Sequence, residues 1–113
     1  MTAPVFDRLV GQDDTVATLG DAVAAARAGT AGMTHAWLFT GPPGSGRSVA
    51  ARAFAAALEC PEGGCGECSA CRTTLAGTHG DVTHVIPDGL TIGVAAVREL
   101  ISAAQRAPST GRF

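Results

Sequence analysis

The four cysteines of the chain share one short stretch, with the spacing C-x4-C-x2-C-x2-C. They are Cys60, Cys65, Cys68 and Cys71. Thiolates bind Zn²⁺ tetrahedrally at about 2.3 Å, and closely spaced cysteines on glycine-rich turns can wrap one ion. Gly63, Gly64 and Gly66 supply the backbone freedom for such turns. Because four protein ligands leave no open position on the metal, the spacing predicts a structural Zn²⁺ site in a small module over residues 59–72.

Three other interpretations of these cysteines stay open at this point. Two disulfides are disfavoured in a cytosolic protein, where thiols are kept reduced. A redox-active C-x2-C pair would need only two cysteines and a different context. Four thiolates can also hold an iron–sulfur cluster, and spacing alone does not distinguish that cluster from Zn²⁺.

A glycine-rich loop, GPPGSGRS at residues 41–48, follows the apolar run AWLF and precedes an alanine-rich helical pattern. A glycine-rich turn between strand and helix is the context in which backbone N–H groups and the helix dipole bind phosphate. The predicted nucleotide-binding residues here are Gly41, Pro42, Pro43, Gly44, Ser45, Gly46, Arg47 and Ser48. Ser48 stands where a Ser or Thr would hold Mg²⁺. The alternative is a turn that only connects two elements.

One residue of the loop departs from the phosphate-binding pattern. Arg47 stands where a Lys would reach the β- and γ-phosphates. A planar guanidinium can pair with phosphate oxygens but does not reproduce the charge placement of an ammonium group. The sequence also has no Asp-Glu pair after an apolar strand to hold Mg²⁺. We therefore expect no catalytic residue and no efficient hydrolysis, and whether Mg-ATP binds is a separate question.

Composition limits the class of protein. The chain has 113 residues, a formal net charge of −2 and no lysine, so it is at most one small domain without a strong direct grip on DNA. It has no signal-peptide pattern at its start and no apolar run long enough for a membrane span. We expect a cytoplasmic protein that does not engage membranes.

Periodicity gives the expected elements. Apolar residues at spacings of three and four predict helices over residues 13–28 and 49–58, a short helix from Ser69, and a last helix from about Gly93 to Ala104. Residues 35–40 and 82–86 are short and apolar, which predicts two buried strands. Strands alternating with helices predict an α/β fold with parallel strands flanked by helices. Two strands alone do not make a stable sheet.

The order of these segments resembles one family. FDRLVGQDDTV, HAWLFTGPPGSGRS, the cysteine cluster and THVIPDGLTIGVAAVRELI are similar, in this order, to the amino-terminal part of AAA+ clamp-loader subunits of bacterial DNA polymerase III. The resemblance implies a partial P-loop NTPase domain with a zinc-binding insertion. It also implies that Val10 and Gly11 lie near the adenine of a bound nucleotide.

The resemblance carries expectations about function. Members of this family open the sliding clamp and close it around primed DNA, so it implies the other clamp-loader subunits, the clamp and primed DNA as partners. Motor subunits carry Lys where this chain has Arg47, so the resemblance favours a non-motor, stator-like subunit of the polymerase holoenzyme. An active ATPase is the alternative function. A zinc-dependent nucleic-acid module is a weaker one, because no basic stripe surrounds the cysteines.

The resemblance also bears on domain organisation. Relatives continue into a Mg²⁺-binding motif, an arginine finger, a lid domain and a collar domain, and the present sequence stops at Phe113. We therefore expect residues 1–113 to be the amino-terminal part of one domain. A chain lacking the collar is expected not to join the ring through the usual contacts.

Overall fold

The computed structural model describes residues 3–30, 33, 36–42, 44–85 and 92–106. Four α-helices and one short 3₁₀ helix make up the regular structure of these residues. In chain order, the 3₁₀ helix is Pro4–Phe6, and the α-helices are α1 Asp13–Ala28, α2 Arg47–Glu59, α3 Ser69–Ala76 and α4 Val94–Ala104. Each predicted helix is present within two residues of its expected bounds.

Helix α2 lies at the centre and packs against α1, α3 and the 3₁₀ helix. Its inner face carries mostly alanine, and such small side chains let neighbouring helices approach closely. Phe54 is the large side chain on this face. Its ring packs edge-on against Trp37 and Phe39, with ring centroids 5.4 Å and 6.4 Å away. The buried apolar core consists of Val5, Phe6, Leu9, Leu19, Ala22, Val23, Ala50, Ala53, Phe54, Ala56, Ala57, Cys60 and Cys71.

Two helices end as their sequences predict. The C-cap residues Gly29 of α1 and Gly77 of α3 both adopt left-handed backbone, with φ of 71° and 80°. Only glycine adopts this conformation without steric cost, and the cap N–H groups then bond carbonyls of the last turn. These caps end α1 and α3 and set the direction in which the chain leaves each helix.

The predicted α/β architecture is wrong for the described residues, which contain no β-strand. Residues 36–40 and 82–85, the described parts of the two predicted strands, are irregular. An apolar run predicts only that a segment is able to form a strand, because the strand itself requires backbone hydrogen bonds to a neighbouring one. The described residues of both segments form no strand, so the expected parallel-sheet P-loop NTPase fold is replaced in the described residues by a helical arrangement. His35 and Ile86, the outer ends of the two predictions, lie outside the described residues.

The apolar stripe of α4 is present but does not form core. None of the side chains of α4 is buried, and Val94 is 68% and Ile101 54% exposed. Val49, expected on the inner face of α2, is also partly exposed. The stripe predicts a helix correctly but does not determine what the helix packs against.

Candidate metal centre and glycine-rich loop

The four cysteines converge at the C-terminal end of α2. Their Sγ atoms all lie within 4.8 Å of one another, and Cys60 Sγ is 3.6 Å from the Sγ atoms of both Cys65 and Cys68. All four thiols are free, since a disulfide would require a sulfur–sulfur distance of about 2.05 Å. The two disulfides left open by the sequence are therefore absent.

These distances fit a single tetrahedral ion. Four sulfurs bound at about 2.3 Å from one centre lie roughly 3.8 Å from each other, close to the separations seen here. A cluster of several irons would hold its thiolates farther apart, because the metal atoms themselves occupy the centre. The four thiols can hold one metal ion.

Backbone amides surround the sulfurs. Cys60 Sγ accepts hydrogen bonds from the N–H groups of Glu62 and Cys65, and Cys65 Sγ accepts from those of Glu67 and Cys68. Cys68 Sγ accepts from the Cys71 N–H, and Cys71 Sγ accepts from the Gly66 N–H. The N···S distances are 3.3–3.5 Å. Hydrogen bonds to a thiolate favour its charged form. Burial opposes ionisation of Cys60, but the amides of Cys65, Gly64 and Glu62 lower the pKa of its thiol to about 6. Burial raises the pKa of the deeper Cys71 thiol. Cys60 and Cys71 therefore differ in how readily they lose a proton to become metal-binding thiolates.

Two contacts from outside the module hold its backbone. The Arg27 guanidinium on α1 donates from Nη1 to the carbonyl oxygens of Cys60, at 3.2 Å, and of Pro61. From the amino-terminal segment, the Val5 N–H donates to the Gly64 carbonyl at 3.1 Å. Sequence reasoning missed both contacts, because nothing local links Arg27 to a residue 33 positions away.

A second group of possible ligands lies beside the first. The side chains of Glu59, His79 and Asp81 also have ligand atoms within 4.8 Å of one another. The Asp81 N–H donates to His79 Nδ1 at 3.0 Å, so that nitrogen carries no proton. Nε2 of the same ring faces Glu59 Oε2 at 3.8 Å. This arrangement contains a buried His–Glu pair, and burial raises the pKa of Glu59.

The glycine-rich loop (residues 41–48) lies at the other end of α2, about 20 Å along the helix axis from the cysteines. Gly44 and Gly46 adopt φ of 83° and 88°, and the Ser45 N–H donates to the Pro42 carbonyl at 3.1 Å. Helix α2 starts at Arg47, and no side chain caps its first turn. The N–H groups of that first turn therefore have no intrahelical acceptors. They lie next to the loop, at the positive end of the helix dipole. Pro43 lies outside the described residues.

Gln12 joins the loop to the start of α1. Its Nε2 donates to the Ser45 carbonyl oxygen at 2.6 Å. On the other side of Ser45, a Cβ on Gly41 would lie 2.5 Å from the Ser45 hydroxyl oxygen, which is buried and has no hydrogen-bond partner. Sequence reasoning assigned Gln12 no role, although it follows directly on the predicted pair Val10 and Gly11.

An open cavity of about 770 Å³ adjoins the loop. It is lined by Gln12, Asp14, Thr15, Thr18, Leu19, Trp37, Leu38, Phe39, Thr40, Gly41, Pro42, Gly44, Ser45, Arg47 and Ala50. The predicted residues Val10, Gly11, Gly46 and Ser48 are not part of this lining, and Val10 is 86% exposed. Arg47 is the cationic side chain in the wall.

The sequence matches the family described as DNA polymerase III, delta subunit, over residues 13–113. The chain belongs to this family. The resemblance to bacterial DNA polymerase III subunits drawn from its motifs is thereby confirmed.

Curated relatives include two kinds of DNA polymerase III subunit. The tau subunit of Bacillus subtilis is 33% identical over 108 residues, which are 92% of this chain and 18% of the relative. The delta' subunit of Pseudomonas aeruginosa is 40% identical over 79 residues, covering 65% of this chain and 24% of the relative. The delta' subunit of Bacillus subtilis is 39% identical over 71 residues, covering 60% and 22%. The chain thus spans about a fifth of the length of these relatives.

No solved structure matches the chain. Across the described ranges, no helix has both the length and the apolar character needed to cross a membrane.

Proposed function

We propose that the chain serves in the clamp loader of DNA polymerase III, which places the sliding clamp on primed DNA, as a stator of the delta-prime type that does not hydrolyse ATP. Family membership and the relatives named delta' support the place in the complex. The main support for the stator role is Arg47, which lies in the wall of the cavity beside the glycine-rich loop, where a hydrolysing subunit would have Lys. The other loader subunits, the clamp and primed DNA are the partners this proposal implies.

The cysteine centre takes Zn²⁺ in this proposal, with a structural role. Four soft thiolates in a tetrahedron suit Zn²⁺, and all four positions of the ion are filled by protein, so no substrate site is left on the metal. Cys60 and Cys71 are buried among the core residues of α2 and α3, which supports a metal that stabilises the fold. When bound, the ion supplies cross-links between the end of α2, the start of α3 and the turn between them.

The glycine-rich loop binds nucleotide phosphates in this proposal. Gly44, which has positive φ, and Arg47 line the cavity, and the uncapped first turn of α2 begins at Arg47. Together they offer an anion several donors and a positive charge. Hydrolysis additionally requires a metal-binding carboxylate and a group that orients water. Among the described residues, Asp14 is the only carboxylate that lines the cavity, and it lies in the first turn of α1. We therefore expect nucleotide binding without hydrolysis.

The test is calorimetric titration of the zinc-loaded chain with Mg-ATP, beside the Arg47→Lys and Arg47→Ala variants. We expect binding to the natural chain and weaker binding to Arg47→Ala, which removes the charge. Phosphate release should stay at background when sliding clamp and primed DNA are added. Release stimulated by clamp and primed DNA would identify an active ATPase and overturn the stator role. Absence of binding to all three chains would overturn the nucleotide site.

A further inference from the structure

The backbone of Gln12 belongs to the start of α1, whereas its side chain bonds to the glycine-rich loop. It is the N-cap residue of α1, and its carbonyl accepts the Val16 N–H at 3.0 Å, so its main chain belongs to the helix start. Its side chain does not cap that helix. The amide instead reaches the Ser45 carbonyl, 33 residues along the chain, at 2.6 Å. A short bond from a rigid base can hold the peptide unit it contacts.

The peptide unit between Ser45 and Gly46 is the one that Gln12 holds. The C=O and N–H of a trans peptide point in opposite directions, because the unit is planar. With the Ser45 carbonyl turned toward Gln12, the Gly46 N–H is turned away from Gln12. Gln12 therefore sets the direction of two groups of opposite polarity in the loop at once.

Without Gln12 this peptide has little to fix it. Gly46 lies at φ of 88°, and glycine accepts both signs of φ, so the unit can turn over at low steric cost. A turned peptide would exchange the positions of its carbonyl oxygen and its N–H. The oxygen carries partial negative charge and repels a phosphate, whereas the N–H attracts one.

We propose that Gln12 is a positioning residue of the glycine-rich loop: its amide donates to the Ser45 carbonyl and so keeps that partly negative oxygen paired within the cavity wall instead of facing a bound phosphate. This rests on the proposed binding of nucleotide phosphates at that loop. It also gives the segment that contains Val10 and Gly11 a mechanical connection to the phosphates. The ligand chemistry is a di- or triphosphate group, whichever base is attached.

The experiment compares the natural chain with Gln12→Met, which keeps the length of the side chain but has no donor, and with Gln12→Glu, which places an acceptor opposite the carbonyl. Thr30→Val is the matched control, because the Thr30 hydroxyl also donates to a backbone carbonyl, that of Ala25 at the other end of α1, and Thr30 does not line the cavity. The ligands are Mg-ATP and inorganic tripolyphosphate. All chains are zinc-loaded, and their thermal midpoints and zinc content are measured.

We expect Gln12→Met to weaken both ligands by about threefold to tenfold, the value of one neutral hydrogen bond. Gln12→Glu should weaken them further, and Thr30→Val should leave both affinities unchanged. Zinc content should not change in any variant. The NMR chemical shift of the Gly46 amide should move in Gln12→Met even without ligand, which a loss of general stability would not confine to the loop.

The outcomes separate this inference from the proposed function. If the natural chain binds both ligands and Gln12→Met binds them equally well, the role of Gln12 is overturned and the phosphate site stands. If the natural chain binds neither ligand, the proposed function is overturned and the positioning role falls with it. Equal weakening by Thr30→Val would also overturn the inference, because the effect would then follow from the loss of any side-chain hydrogen bond at an end of α1.

Discussion

Gly64 lies against Val5 so closely that a Cβ on the glycine would be 2.8 Å from Val5 Cγ1. The same atom would lie 3.1 Å from the Cβ of Ala3 and 3.3 Å from that of Ala57. The Val5 N–H also bonds to the Gly64 carbonyl. The turn between the first two cysteines is therefore packed between the amino-terminal segment and α2, and is part of the core.

Gly64→Ala should lower the free energy of unfolding by about 1–3 kcal/mol from overpacking, with left-handed strain added because φ is 118°. Gly77→Ala is the matched control, since it also has positive φ but a Cβ there meets nothing within 4 Å. Urea denaturation of the two variants measures the difference. Equal losses in both would mean that the contact with Val5 contributes nothing beyond backbone strain.

Arg27→Met should release zinc faster than the natural chain does. The variant keeps most of the side-chain stem that packs beside Gly63 but removes the donors to the carbonyls of Cys60 and Pro61. Loss of groups that orient metal ligands from outside typically costs roughly tenfold or more in metal affinity. A colorimetric chelator follows the release, and Arg72→Met, an exposed arginine beside Cys71, serves as the control. Identical release from both variants would contradict the role assigned to Arg27.

Phe54→Ala should cost about 3–5 kcal/mol of stability, because it empties a buried aromatic position of the core. It should also shift the emission of Trp37 to longer wavelength, since that indole loses its edge-on contact and gains water. Trp37 is the only tryptophan in the sequence, so the signal is unambiguous. Val49→Ala on the same helix should change stability by no more than about 0.5 kcal/mol, because Val49 is partly exposed. Unchanged emission in Phe54→Ala would count against the aromatic contact.

Removing the metal should unfold the region around the ends of α2 and α3. Structural zinc sites contribute binding energy directly to folding, on the order of 10 kcal/mol in small domains. A chelator should therefore lower the thermal midpoint measured by circular dichroism, and one equivalent of Zn²⁺ should restore it. Cys68→Ser should behave like the chelated chain, whereas Ser69→Ala, at the neighbouring exposed position, should melt like the natural chain. A midpoint indifferent to chelation would remove the structural role of the metal.

The helices were predictable because their signals are local. Apolar spacing over residues 13–28 and the glycines at 29 and 77 act within a few turns of the chain, and the structure follows them. The cysteine cluster was predictable for the same reason, since its four ligands fall within one short stretch. The strands were wrongly predicted, because a strand exists only through a ladder of hydrogen bonds to another segment, which an apolar run does not specify, and residues 36–40 and 82–85 form no strand.

The sequence by itself determined the four thiols, the glycine-rich loop with Arg47 in place of Lys, and the membership of a DNA polymerase III family. Only the tertiary structure decided that the turn between Cys60 and Cys65 packs against Val5. It alone showed that Gln12 bonds to Ser45 and Arg27 to Cys60, each across 33 residues. The physical reason is range: composition and periodicity report interactions within a helical turn or two, whereas these bonds exist only after the core has brought α1 against α2.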